Sequence, residues 1–136
     1  MQKQKIAPEL VLRDNVIQYL QDNAQCAVYK DLPPSDENVP YPFISIGTVH
    51  STNNLTNNYI LENIYIVINT WTKSDDDDET TYNLLNIAQK VGQQRFIDSG
   101  YYLVGSPQYT DKQVITDDST DTVLNHGIVS LQFKLI

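Results

Sequence analysis

Cys26, His50 and His126 are the residues best suited to covalent chemistry, since a thiol beside an imidazole makes a nucleophile and its base wherever a fold joins them. The chain holds one cysteine and two histidines in 136 residues. No nucleophile motif surrounds Cys26, which leads an apolar stretch and reads as a small buried hydrophobe. His126 precedes Gly127 and reads as a turn or edge residue. The histidines lack the local spacing of a metal site, and one cysteine supports neither a disulfide nor a Cys-x-x-Cys motif.

Carboxylates are the second chemical resource. Asp75 to Asp78 and Glu79 form an unbroken acidic run, but a calcium loop places its ligands at alternate positions around a glycine. The run reads better as a helix start, where Ser74 or Asp75 caps free N–H groups and the acids meet the positive end of the dipole. Asp111, Asp117, Asp118 and Asp121 fall in a polar stretch that keeps them solvated, whereas catalytic carboxylates need burial or coupling. No glycine-rich run joins a strand to a helix to hold phosphate. The sequence therefore assembles no active site and implies no cofactor and no metal.

Nine basic residues face seventeen acidic ones, for a net charge of -8. A basic face that releases counterions from nucleic acid is missing, and anionic membranes would repel the chain. The tyrosines and Trp71 lack the interleaved Lys and Arg of a base-stacking surface, so protein contact or core packing explains them better. Met1 to Ile6 has no signal-peptide core, and no apolar stretch is long enough to span a bilayer. The expectation is a cytoplasmic product in which the Asn54-Leu55-Thr56 sequon stays silent.

These residues must be positioned by one domain over 1–136, given the length and a 40% hydrophobic content. Leu10, Val16, Ile17 and Leu20 predict an amphipathic helix from Ala7 to Asn23. A short strand follows from Cys26 to Lys30, then a loop stiffened by Pro33 and Pro34, then a strand from Phe43 to Val49 interrupted at Gly47. Ser51 to Asn58 reads as a turn-rich loop. In the long strand Tyr59 to Trp71, Ile60, Ile64, Ile66 and Ile68 form one apolar face, and Leu61, Tyr65, Val67 and Trp71 make the other partly apolar. Leu84, Leu85, Ala88 and Val91 predict a helix from about Asp76 to Ile97, ended by Ser99-Gly100. Tyr101 to Tyr109 is a strand, Thr110 to Thr122 an acidic loop or hairpin tip, and Val123 to Ile136 a half-buried closing strand.

The expected fold is α/β of the α+β type, in the order α-β-β-β-α-β-β. Four to five mostly antiparallel or mixed strands carry two helices on one face. A strand apolar on both sides must be covered on both, and a neighbouring subunit is the expected cover for the face without helices. Tyr65 and Trp71 would anchor that contact. The polar loops would add Asn53, Asn54, Thr56, Asn57, Asp117, Asp118 and Asp121 as partner contacts.

Several ordered segments resemble the small tail-completion, or tail-terminator, proteins of long-tailed bacteriophages. They are Val28-Tyr29 with its Pro-rich loop, Tyr41-Pro42-Phe43-Ile44-Ser45-Ile46-Gly47, Asn69-Thr70-Trp71-Thr72 before the second helix, and Asn125-His126-Gly127-Ile128-Val129-Ser130-Leu131-Gln132-Phe133. The resemblance implies a non-enzymatic virion protein, made in the host cytoplasm, that forms a ring, commonly a hexamer, on the head-proximal end of the tail tube. Its partners would be other copies of itself, the tail tube protein and a head-completion or stopper protein, with DNA passing through the ring without specific binding. The acidic run and the asparagine-rich segment depart from that family's pattern. The rival expectations are another neck component, such as a head-tail adaptor, and an acidic DNA mimic, which would need carboxylates spread over a whole face.

Overall fold

The computed structural model describes residues 6–34, 38–56, 59–75, 78–119 and 121–136, and only the backbone of 54–56 and 59–61. Its elements are α1 (Pro8–Asn23), β1 (Ala27–Tyr29), β2 (Phe43–Thr56), β3 (Tyr59–Lys73), α2 (Asp78–Val91), β4 (Arg95–Asp98), β5 (Tyr101–Gly105), β6 (Asp111–Asp117) and β7 (Leu124–Leu135). The fold is α+β, with the expected elements in the expected order and more strands than expected.

The seven strands make one mixed sheet, six of them in the order β1-β2-β3-β7-β5-β4 and β6 beside this path, paired with β7. β1 runs parallel to β2, and the other pairings are antiparallel. β7 pairs with β3 along its whole length on one side. Its other side is shared, with β6 on Leu124 to Ser130 and β5 on Phe133 to Leu135.

Alternation fixes which face is covered. Ile64, Ile66 and Ile68 of β3 lie opposite Phe133, Leu131 and Val129 of β7, and all six are buried with Leu12, Val16 and Leu20 of α1 and Leu84, Leu85, Ala88 and Val91 of α2. Both helices therefore cover the same face, as the isoleucine periodicity predicts. On α1 the seam is Val11, Leu12, Val16 and Leu20, while Leu10 is exposed. Leu12, Val16 and Leu20 are spaced four apart and stack on one side of the helix. Polar contacts tie the helix starts to the sheet. Ser51 Oγ donates to Glu9 Oε1 at 2.7 Å, and the buried hydroxyls of Thr72 and Thr81 meet at 2.8 Å.

Three expectations about elements are corrected. The segment from Ser51 is not a loop: β2 continues to Thr56, pairing with β3 until Thr56 faces Tyr59. Its Ser, Thr and Asn residues are held by the ladder with β3, which outweighs their turn preference. The register shift between Ile46 and Val49 marks a bulge at Gly47, where the interruption was expected.

The second helix stops at Val91, and β4 occupies the stretch expected to extend it. Ser99 and Gly100 both have positive φ, 53° and 83°, and join β4 to β5 as the two centre residues of a hairpin turn. They do not cap a helix. Gly92 follows α2, and Gly105 packs so tightly on it that a Cβ there would overlap the Gly92 carbonyl. Finally, most of the acidic stretch from Thr110 is strand β6, because the β7 edge left open by the short β5 offers it a ladder.

Candidate functional site

Residues paired across an antiparallel ladder point to the same side, so the register also defines the face away from the helices. Tyr65 lies between His50 of β2 and Gln132 of β7, Val67 beside Ser130, and Asn69 between Ser45 and Ile128. β6 adds Gln113 beside Ile128 and Ile115 beside His126. Tyr65, Val67, Ile128 and Ser130 are partly exposed, and Ile115 is exposed. Among the described residues no helix covers this face. The Tyr65 ring stacks on His50 at 4.9 Å between centroids, 15° from parallel, which fixes an amphipathic side chain in one place.

Trp71 departs from its expected role as an exposed anchor. It is 8% exposed and belongs to a second small core with Phe43 and Leu124, shielded by Tyr29, Val39 and Tyr41. Its indole stacks on His126 at 3.9 Å and lies 6.1 Å from the Phe43 ring, while Nε1–H donates to Ser45 Oγ at 3.1 Å. The two prolines before β2 lead Val39 and Tyr41 over the indole, a long-range cover that strand periodicity does not report.

The expected polar contacts lie at two places. Asn53 is exposed on β2 opposite Glu62, and Asn54 and Thr56 continue the same strand opposite Leu61 and Tyr59. Asn57 lies outside the described residues. Asp117 closes β6 opposite Leu124, and the exposed Asp118 and Asp121 follow in the connection to β7. The main-chain N–H and hydroxyl of Ser119 both donate to Asp117 Oδ1, at 2.9 and 2.6 Å, and hold its carboxyl below the usual carboxylate range. Of the acidic run, Asp78 and Glu79 occupy the first turn of α2, as expected of acids at a helix start, and Asp76 and Asp77 lie outside the described residues.

The Cys26 thiol meets neither imidazole. Cys26 packs against the helix-side core, and burial pushes its thiol up, whereas His50 and His126 stack on rings of the opposite face. Among the described residues, no three His, Cys, Asp or Glu side chains gather to hold a metal, and no helix is long and apolar enough to cross a membrane.

His126 is not a turn residue. It sits within β7, bonds the Asn69 side chain at 2.8 Å and stacks on Trp71. Matching β3 against β7 in antiparallel register would have found this pair; reading each strand alone does not. Burial lowers the His126 pKa, and the charge of Asp117 raises it by less. Because the folded value lies below the unfolded one, His126 gives its full contribution above the ordinary imidazole range and loses it as pH falls through the folded value. The thermal midpoint of the wild type should therefore fall further between pH 7.5 and 5 than that of His126→Gln, with Trp71 fluorescence following the same titration.

The comparisons with known proteins concern the fold. No protein-family model matches the chain, and no curated protein matches it either. Among solved structures, a chain from the virion of a native gene transfer agent particle is 16% identical with a TM-score of 0.64, over 90% of this chain and 94% of that one. The gp17 protein of bacteriophage SPP1 is 19% identical with a TM-score of 0.57, over 97% of this chain and 95% of that one. The protein thus shares its fold, along nearly its whole length, with a virion chain and a bacteriophage protein.

Proposed function

We propose that this chain is a structural component of a phage-like virion neck. It caps the head-proximal end of the tail tube as a hexameric ring, stops tube growth and joins the tail to the head-completion or stopper protein. The observation that carries this reading is the end-to-end fold likeness to a chain of a gene transfer agent virion and to SPP1 gp17.

Two features of the chain support it. The sheet face bearing Tyr65, Val67 and Ile128 is partly apolar and has no helix over it among the described residues, as a subunit contact requires. The chain works by contact: its thiol and imidazoles are on opposite sides of the sheet, and the carboxylates of Glu9 and Asp117 are tied to neighbouring serines. A net charge of -8 suits a ring through which DNA slides without sticking.

A tube-growth assay tests the capping step. Purified chain added to polymerising tail tube protein should shorten the tubes as its concentration rises, with the chain found at one tube end. Tube lengths unchanged at excess chain would contradict it.

A further inference from the structure

At the end of the sheet where β6 turns into β7, a groove of about 580 Å³ opens between the Pro-rich loop and that turn. Pro33, Pro34, Tyr41 and Trp71 contribute apolar surface to its lining, and Asp117 and Asp121 contribute carboxylates. Among the described residues, no Lys or Arg lines it. We propose that this groove binds a segment of a protein partner in which a lysine or arginine is flanked by apolar residues. The cation meets Asp117 and Asp121, and the flanking residues lie on the proline and aromatic wall.

Charge complementarity selects this occupant. An apolar wall alone would accept any hydrophobic segment, but two carboxylates with no basic side chain among the described lining residues favour a cation and repel an acidic segment. Asp117 is held ionised by its two bonds from Ser119. Lys73 does not line the groove, but its Nζ lies 6.0 Å from the centre of the Tyr41 ring, at the outer limit of cation–π reach.

The wall is also rigid before any ligand arrives. Trp71 is clamped between Phe43 and His126 and bonded to Ser45, Tyr41 lies against Phe43 at 5.4 Å, and the two prolines fix their own backbone. A preformed wall spares the ordering entropy that a flexible surface loses on binding. The inference does not rest on the neck assignment and can fail or succeed without it.

The test is calorimetric titration of the whole chain with a short peptide alternating leucine and arginine. Counterparts carrying glutamate or glutamine for arginine serve as controls, and the emission of Trp71 is read in parallel. The arginine peptide should bind and shift that emission, and both controls should bind more weakly. Asp117→Asn with Asp121→Asn keeps an acceptor at each position and should weaken binding about tenfold or more. Asp14→Asn with Asp22→Asn, on the exposed side of α1, changes the net charge equally and should leave affinity unchanged. Absence of binding, equal binding of the glutamate or glutamine peptide, or equal weakening by the α1 pair would each overturn the proposal.

Discussion

Aspartates introduced together at Val67 and Ile128 are expected to leave the subunit folded while abolishing its assembly into particles. Both side chains are partly exposed on the sheet face opposite the helices, on neighbouring strands, and neither belongs to the helix-side core. The isolated chain should therefore keep its circular dichroism and nearly its thermal midpoint. Within a subunit contact, each carboxylate would be an unpaired buried charge, costing about 3 to 5 kcal/mol. At 1.4 kcal/mol per factor of ten, association would weaken by at least about a hundredfold. The yield of completed particles in cells supplying only this variant is the measurement; a normal yield would remove this face from the contact.

Phe133→Ala should cause the largest loss of stability of any single truncation in the chain. Phe133 is fully buried in the middle of the sheet, opposite Ile64 on one side and Gly105 on the other, and its ring lies 5.9 Å from that of Phe96. Removing such a ring costs about 3 to 5 kcal/mol, from lost burial and the cavity left behind. Against the 5 to 15 kcal/mol typical of a domain, that is a large fraction. Urea unfolding should show a free energy of unfolding lowered by that amount, through a lower midpoint at an unchanged slope. A loss below about 1 kcal/mol would mean that the helices do not close over this side of the sheet as described.

The parts of this fold that could be read from the sequence are those where one segment carries its own periodicity. Ile64, Ile66 and Ile68, the alternation of Val129, Leu131 and Phe133, and the seam Leu84, Leu85, Ala88 and Val91 each declare a buried face without reference to the rest of the chain. What escaped depends on partners distant in sequence. Asn53 and its neighbours have turn propensities, yet the ladder with β3 extends them. Asp111 to Asp117 becomes a strand because β5 leaves part of β7 unpaired. Phe96 and Ile97 prolong the helical pattern of α2, but Gly92 interrupts it and the Ser99-Gly100 turn folds the stretch back on β5.

The candidate site divides in the same way. Tyr65 was legible, because its position on β3 sets its face. Trp71 was not, because its exposure is decided by Tyr41 and Val39, which lie some thirty residues earlier. The groove beside it was equally hidden, since it exists only where the Pro-rich loop, the end of β3 and the β6–β7 connection meet.

Electron micrographs of particles assembled in cells that lack this chain test the neck assignment most directly. The account predicts filled heads without tails, beside unattached tails of irregular and excessive length, with both defects corrected when the wild-type chain is supplied. Joined particles with tails of normal length in its absence would contradict the account.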